Sequence, residues 1–361
     1  MSLKQSVTQS GTRPIGQGAD QASVDFGRRY LRIDTTRVAG LIPLRAITVS
    51  AVLLVVILAA GVASMTIGAY EVGLDAVLRA VVDPASDPDI RQVVVEWRLP
   101  RVLFAVLSGG IFQSLTRNPL GSPDIIGFGI GAQFGVTLMM IVLELNTYMF
   151  KAAGALLGGL VTALLVYVLA SKNTMSSFRL IIVGIGVSAG LGSLTSWILI
   201  SVSVEKAMMA ATWGAGSLAS LGFDQLLPAT IVFVIVMLAA LPLNRTLPVL
   251  EMGDDAATAL GIRPGRTRLS AMVLGVALIA LVTAAAGPIS FIALAAPQIA
   301  QRLTRSNTPM GTVPVMLTGA ALVVVSDLVA QLLEVPVGVV TVSVGGVYLA
   351  WLLAAQFARR A

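Results

Sequence analysis

The sequence contains no cysteine and no histidine, and only 12% of its 361 residues carry a charge. The absence of cysteine excludes disulfides, thiolate metal ligands and a cysteine nucleophile. Without histidine, an intramembrane zinc protease, a haem-ligating bundle and a histidine proton relay are unfavourable. A soluble domain carries about 25% charged residues. The low charge and the mean hydropathy of +0.90 therefore indicate an integral membrane protein.

A Gly-x-x-x-x-Gly-Lys-Ser/Thr phosphate loop is also missing from the sequence. The chain therefore supplies no ATP site of this kind, and we expect neither a metal nor another cofactor in it. Basic residues exceed acidic residues by six. Retention of Lys and Arg on the cytoplasmic side of a membrane explains this excess better than nucleic-acid binding does.

Long apolar runs occupy most of the chain. A membrane span needs about 20 apolar residues, and fewer when protein surrounds it. We predict an all-α, polytopic membrane protein with about ten transmembrane helices, several of them short or broken by Gly and Pro. Broken backbone at membrane depth needs surrounding protein or a water-filled route, which favours transport over simple anchoring. The predicted segments are 47–67, 102–116, 125–142, 151–171, 180–203, 228–243, 269–286, 291–303, 312–333 and 336–356.

The charged segments between these runs predict the orientation. Residues 1–45 are polar and basic and contain no apolar signal region, so they are predicted to form a disordered cytoplasmic tail before a transmembrane domain at 46–361. Basic residues concentrate on the side of this tail and acidic residues on the other side, as the positive-inside rule requires. An even number of spans then places both termini in the cytoplasm. The basic residues assigned to the inner side include Arg117, Lys172, Arg179, Arg245, Arg263, Arg266, Arg268, Arg302, Arg305, Arg359 and Arg360.

Two arginines, Arg98 and Arg101, stand at the outer end of the second predicted span. A spacing of three residues at the start of a helix places both guanidinium groups on one face. Each could form a bidentate pair with a carboxylate, a geometry that lysine does not match. From spacing alone, anchoring of the helix end at the lipid headgroups is the simpler interpretation.

Two inner segments interrupt the apolar pattern. The segment Gln113–Asp124 contains Pro119 and Pro123 and reads as a polar reversal between two spans. The longer segment 244–268 predicts a short helix that ends at Gly261 and precedes a basic stretch. A cytoplasmic motor subunit could grip such a helix, but an ordinary interfacial helix explains the pattern equally well.

Five motifs in this sequence resemble those of the FecCD family of importer permeases, in the family's order and over about residues 47 to 357. The motif that begins at Ile111 is most similar to members that serve ferric enterobactin and related catecholates. The motifs are Arg98-Leu-Pro-Arg101, Ile111-Phe-Gln-Ser-Leu-Thr-Arg-Asn-Pro-Leu-Gly-Ser-Pro-Asp-Ile-Ile-Gly127, Ala259-Leu-Gly-Ile262, Ala286-Gly-Pro-Ile-Ser-Phe-Ile-Ala-Leu-Ala-Ala-Pro297 and Val335-Pro-Val-Gly-Val-Val-Thr341.

The resemblance implies a BtuC-like type II importer permease fold in the bacterial inner membrane, and a permease subunit that moves a ferric siderophore from the periplasmic side to the cytoplasm. It implies no enzymatic activity in this chain. The implied partners are a second permease subunit (a heterodimer is favoured over a homodimer), two cytoplasmic ATPase subunits that bind ATP and magnesium, and a periplasmic or lipid-anchored siderophore-binding protein. Import of haem or cobalamin by the same fold is the alternative. An ion-coupled secondary transporter is disfavoured, because it would need several ionisable groups near the midplane.

The resemblance also assigns roles to particular residues. Arg98 and Arg101 are expected to dock acidic residues of the binding protein, and the segment 244–268 is expected to couple to the ATPase. The fifth and tenth spans are expected to line the translocation path. The expected coupling residues are Asp254, Asp255, Ala259, Leu260, Gly261 and Ile262, and the expected pathway residues are Ser188, Ser193, Thr195, Thr341 and Ser343.

Three further features are read from the residues themselves. The fifth span carries Gly184, Gly186, Gly190 and Gly192, and such small residues allow close helix packing, either within one subunit or across a dimer. Asp327 lies near the outer end of a span and is either a functional group or a structural hydrogen-bond partner. The second span has about 15 residues, which reach about 22 Å across a core of about 30 Å. This span and the outer segment near Gln331 are both shorter than is usual in the family, and a third docking arginine is missing there.

Overall fold

The computed structural model describes residues 30–35, 38–68, 70–83, 86–113, 127–170, 177–219, 221–250, 252–305 and 312–358. The chain divides into two compact units, Met1–Arg45 and Ala46–Ala361. In the first unit, β1 (Tyr30–Thr35) and β2 (Val38–Pro43) pair as an antiparallel hairpin. Their β-branched residues favour strands. Residues 1–29 lie outside the described residues.

The remaining described elements are helices. Several are short, and two of them continue into π-helical segments, Gln92–Arg98 before α4 and Leu138–Val142 after α5. The helices are α1 (Leu44–Thr66), α2 (Leu74–Val82), α3 (Pro88–Arg91), α4 (Leu99–Gln113), α5 (Phe128–Thr137), α6 (Tyr148–Ala170), α7 (Ser177–Ile200), α8 (Val204–Gly214), α9 (Phe223–Ala240), α10 (Leu243–Leu250), α11 (Asp254–Ala259), α12 (Pro264–Ala286), α13 (Ile292–Thr304), α14 (Thr312–Leu332) and α15 (Val337–Ala358).

Each of the ten predicted apolar segments coincides with one of these helices. Within the described ranges, six helical stretches are long and apolar enough to cross a membrane. The other four predicted segments correspond to α4, to α5 with its π-helical continuation, to α13 and to α15. The prediction of a helical, multi-pass membrane protein is therefore confirmed. The six long stretches are Leu44–Thr66, Tyr148–Ala170, Ile182–Ile200, Phe223–Ala240, Pro264–Ala286 and Val313–Leu332.

The second predicted span does not stand alone as a short helix. Asp87 caps α3 by accepting a hydrogen bond from the backbone N–H of Asp89 at 3.0 Å, and Pro88 occupies the first helical position, where its missing N–H costs nothing. From Pro88 the backbone remains helical through the π-helical segment to Gln113. This run is longer than the roughly 30 Å hydrocarbon core. Residues 114–126, which include most of the predicted Pro-broken reversal, lie outside the described residues.

Close helix pairs form the interior of the second unit. Helix α4 packs along α14, and α6 packs on both α5 and α12. Glycine permits the α5–α6 approach, because a methyl group added to Gly135 would lie 2.0 Å from the carbonyl oxygen of Gly154. Phe104, Val282 and Val323 are fully buried in the core that joins these pairs.

Three irregular backbone segments meet beside this core: the end of α8, the break between α12 and α13, and the start of α15. Gly216 and Gly287 adopt positive φ values of 74° and 72°. The N–H of Ser217 donates to the carbonyl of Ala286 at 2.7 Å, and the N–H of Gly338 donates to the carbonyl of Gly216 at 3.1 Å. These bonds satisfy backbone groups that could not be left unpaired at membrane depth.

Candidate functional site

A cavity of about 820 Å³ opens at one end of the helix bundle. We call it the mouth cavity; the end of α1, the π-helical segment before α4, the start of α4 and the α14–α15 connection line it. Arg98 and Arg101 both face this cavity, together with the aromatic side chains of Tyr70 and Trp97. The sequence-based prediction that the two arginines share one face is therefore confirmed.

Arg98 is held by backbone carbonyl groups. Its Nη1 donates to the carbonyl oxygen of Met65 at 2.6 Å, and its Nη2 donates to the carbonyl oxygen of Tyr70. Gly68 makes room for this arrangement, because a methyl group there would lie 2.8 Å from Nη2. Since carbonyl groups are neutral, these hydrogen bonds do not balance the positive charge of Arg98, and no carboxylate in the part of the chain that the structure describes pairs with it.

Arg101 instead forms a bidentate ion pair with Asp327 of α14. Its Nε donates to Oδ2 at 2.9 Å and its Nη2 donates to Oδ1 at 2.9 Å. The Asp327 side chain is only 2% exposed, whereas that of Arg101 is 19% exposed. Gln331 donates to Asp327 Oδ2 at 3.0 Å and also to the hydroxyl oxygen of Ser64 on α1. One polar network therefore joins α1, α4 and α14 at the mouth cavity.

This network settles how Asp327 is used in the described conformation. The sequence left a functional role and a structural hydrogen bond open, and the structure assigns Asp327 a structural ion pair. Asp327 and Gln331 lie one helical turn apart, which indicates that they share a face. Their connection to Arg101, 226 positions away along the chain, has no local signal. The docking roles of Arg98 and Arg101 stay predictions, since both guanidinium groups here bind groups of their own chain.

The predicted coupling segment folds into two short helices, α10 and α11. Helix α11 ends where the sequence predicts, because Gly261 adopts a φ of 79° after its last turn. The N–H of Gly261 donates to Thr258 O at 2.9 Å, and the N–H of Ile262 donates to Ala257 O at 2.9 Å. These are the two hydrogen bonds of a Schellman motif, which favours glycine at this position.

The coupling segment presents an exposed surface beside this turn. Leu260 is 65% exposed and Met252 is 70% exposed, while Ala257 is fully buried beneath them. Asp255 and Ala259 are also exposed. Leu260 and Met252 flank α11 at its two ends, and exposed apolar side chains that lie together can form a surface for a partner.

The predicted pathway hydroxyls lie on α7 and α15. Ser193 and Ser343 are exposed, Ser188 and Thr195 are half-buried, and Thr341 is fully buried. In the described conformation Thr341 faces the interior of the subunit, and the pathway roles of these residues stay predictions. All five hydroxyls donate to carbonyl oxygens of their own helix. The donor–acceptor pairs are Ser188–Gly184 at 2.7 Å, Ser193–Ala189 at 2.9 Å, Thr195–Leu191 at 2.9 Å, Thr341–Gly338 at 3.0 Å and Ser343–Val339 at 2.8 Å.

The four glycines of α7 divide into two groups. Gly184 is buried, and a methyl group added to Gly127 would lie 3.1 Å from the carbonyl oxygen of Gly184. By contrast, a methyl group added to Gly186, Gly190 or Gly192 would meet nothing within 4 Å. Packing within this chain therefore explains Gly184, whereas no described residue packs closely against the other three.

An aromatic and cationic cluster at the other end of the bundle was not predicted. The guanidinium carbon of Arg302 on α13 lies 4.7 Å from the ring centroid of Trp351 and 6.0 Å from that of Tyr348, both on α15. Such distances are typical of cation–π contacts. A signal was present in the sequence, because the orientation placed Arg302 and the end of the last span on the same side of the membrane.

Comparison with known proteins yields matches over most of the chain. The model of the FecCD transport family matches residues 53–355. The ferric enterobactin transport system permease protein FepG of Escherichia coli (strain K12) is 45% identical over 305 residues, which cover 81% of this chain and 92% of that protein. The ferric enterobactin transport system permease protein FepD of the same organism is 33% identical over 322 residues, covering 86% and 95%. A solved structure described as an inward-facing conformation of a metal-chelate type ABC transporter has a TM-score of 0.71 at 27% identity and covers 85% of this chain and 99% of its own.

Proposed function

The chain belongs to the FecCD transport family, and from this premise we propose that it is the permease subunit of an ATP-driven importer that carries ferric siderophores into the cytoplasm. The observation that carries the proposal is the similarity to FepG across four fifths of the chain. The helical architecture supports it, because several apolar helices surround broken backbone segments, as a transport route requires. Within siderophores, the similarity favours catecholates of the enterobactin type.

The chain has no ATP site of the phosphate-loop kind, so energy must enter through another protein. We propose two cytoplasmic ATPase subunits that bind ATP and magnesium and grip the coupling segment at α11. The exposed Leu260 and Met252 next to the glycine-ended turn at Gly261 support this surface as the contact. Closure of the ATPases on ATP would then move α10 and α11 with them.

A second permease subunit is the proposed partner for α7 and α15. The open faces of Gly186, Gly190 and Gly192 support contact along α7, since small residues allow helices to approach closely in a bilayer. The exposed hydroxyl-bearing positions Ser193 and Ser343 support a route beside this contact. The similarity to both FepG and FepD favours a related but different chain as the partner.

The mouth cavity is the proposed docking place of a periplasmic or lipid-anchored siderophore-binding protein. The basic residues on the opposite side of the predicted spans support an outward direction for this cavity and cytoplasmic termini in a bacterial inner membrane. Arg98 supports docking most directly, because among the described residues its guanidinium group binds two neutral carbonyl groups and no carboxylate. Carboxylates on the binding protein would complement that charge.

The decisive experiment is uptake in proteoliposomes that contain the two permease subunits, the ATPase and the binding protein. We expect uptake of iron-55 ferric enterobactin that needs ATP inside the vesicle and the binding protein outside. Uptake that persists without the ATPase subunit, driven by a proton or sodium gradient, would contradict the proposal. Competition by unlabelled haem or cobalamin tests the cargo: loss of iron uptake at equal concentration would assign the chain to one of those chelates instead.

A further inference from the structure

We propose that Asp327 binds the Arg101 guanidinium group before docking and that a carboxylate of the docking protein replaces Asp327 there on docking. We call this replacement the exchange. The inference rests on the proposed function, because it needs a binding protein that presents an acidic side chain at the mouth cavity. It distinguishes the two arginines. Arg98 attracts the partner with a charge that no carboxylate of the described residues pairs, whereas Arg101 must give up its bond to Asp327 in the course of docking.

The geometry of the pair leaves one side of Arg101 open. Asp327 uses Nε and Nη2, and among the described residues Nη1 of Arg101 has no hydrogen-bond partner. The Arg101 side chain lines the mouth cavity and keeps 19% of its surface exposed. A guanidinium group carries five N–H donors in a planar fork. A partner carboxylate can therefore contact Arg101 from the cavity before the bond to Asp327 is broken.

The network around Asp327 also allows the carboxylate to remain when Arg101 turns away. A buried carboxylate that loses its cation is strongly unfavourable unless other donors satisfy it. Gln331 supplies such a donor at 3.0 Å from Oδ2. The same amide group donates to Ser64, which fixes its position between α1 and α14. Gln331 thus acts as a positioning residue that keeps Asp327 in place during the exchange.

The exchange makes a quantitative prediction for docking affinity. Asp327 competes with the binding protein for Arg101. The apparent dissociation constant of the binding protein is therefore its intrinsic value divided by the fraction of time that Arg101 is free. Removing the charge of Asp327 with Asp327→Asn keeps the shape and the hydrogen bond to Gln331 but weakens the competitor. If Arg101 is free for a tenth of the time in the unaltered chain, the dissociation constant of the binding protein falls about tenfold in the variant.

The measurement is the dissociation constant of fluorescently labelled binding protein for the full importer in lipid nanodiscs. The tightening caused by Asp327→Asn must vanish when Arg101→Gln is present in the same chain, because the gain acts through Arg101. Glu334→Gln is the matched control, since Glu334 lines the same cavity and is not bonded to Arg101. We expect Glu334→Gln to change the affinity by less than Asp327→Asn does. Its effect should be the same whether or not Arg101→Gln is also present.

Three results would overturn the exchange: unchanged affinity in a correctly assembled Asp327→Asn importer, tightening that survives Arg101→Gln, or tightening by Glu334→Gln of the same size. If Asp327→Asn fails to assemble, Gln331→Met tests the same idea without touching the ion pair. It removes the donor that retains Asp327, so docking should weaken several-fold, and unchanged docking would overturn the exchange. An unaltered importer that neither binds the binding protein nor takes up iron would instead refute the proposed function.

Discussion

A methyl group added to Gly338 would lie 2.1 Å from the carbonyl oxygen of Ala215. This contact joins the first turn of α15 to the irregular segment after α8, and both groups are backbone or directly attached to it. Neither can move aside as a flexible side chain could. Gly338 therefore fixes how closely the last helix approaches the centre of the subunit.

We predict that Gly338→Ala lowers the thermal midpoint of the detergent-solubilised protein by several degrees, since the new methyl group must displace backbone. The matched control is Gly346→Ala on the same helix, where a methyl group would meet nothing within 4 Å. Alanine there should leave the midpoint unchanged or raise it, because alanine favours helix over glycine by about 1 kcal/mol. Equal destabilisation by both substitutions would contradict the close contact.

The ion pairs Arg101–Asp327 and Lys206–Glu144 should contribute unequally to stability. Asp327→Ala leaves Arg101 half-buried without its acid, and loss of one partner from a buried pair costs about 3–5 kcal/mol. Arg101 keeps some exposure, so we expect the lower end of that range, measured as the free energy of unfolding in denaturant. Glu144→Ala breaks an ion pair with Lys206 that lies in solvent. Exposed pairs contribute little, so this control should match the unaltered chain.

The contact between Arg302 and Trp351 should be measurable by a double-mutant cycle. We combine Arg302→Gln with Trp351→Leu and expect a coupling of about 0.5–1 kcal/mol in the free energy of unfolding. The ring centroid lies 4.7 Å from the guanidinium carbon, and Trp351 is 54% exposed. A coupling of zero would show that the two side chains are neighbours without a cation–π attraction.

Gly261 tests the coupling surface. Its φ of 79° strains any side chain, but asparagine adopts this region more readily than a β-branched residue does. We expect Gly261→Val to lose the stimulation of ATP hydrolysis by the binding protein and Gly261→Asn to retain most of it. Gly265→Ala, four residues further on in open space, is the control and should couple normally. Full coupling in Gly261→Val would contradict a role for this turn.

Local pattern was sufficient to predict the helices and several of their ends. Apolar runs predicted all ten segments, because burial in lipid demands continuous apolar sequence and internally bonded backbone. The end of α11 followed from Gly261, since a left-handed residue after a helix favours glycine. The joint placement of Arg98 and Arg101 followed from their spacing.

Contacts between residues distant in the sequence, and the question of which face of a helix is buried, could not be predicted from local pattern. The pair of Arg101 with Asp327 depends on how α4 packs along α14, and no local spacing encodes that packing. The burial of Thr341 was missed because α15 is apolar on all sides, so its sequence does not distinguish the face towards the core. The continuation of α4 back to Pro88 was missed because charged residues interrupt the apolar run there.

The hydroxyl groups of α7 and α15 have one more consequence. Ser193 and Ser343, which stay exposed, already donate their hydroxyl protons to the carbonyl oxygens of Ala189 and Val339. Each side chain then presents only oxygen lone pairs and a methylene group to a solute. An anionic iron chelate needs hydrogen-bond donors, so it would gain no hydrogen bond from Ser193 or Ser343. If these positions line the proposed route, a chelate would therefore form few strong bonds there, and its residence time beside them would be short.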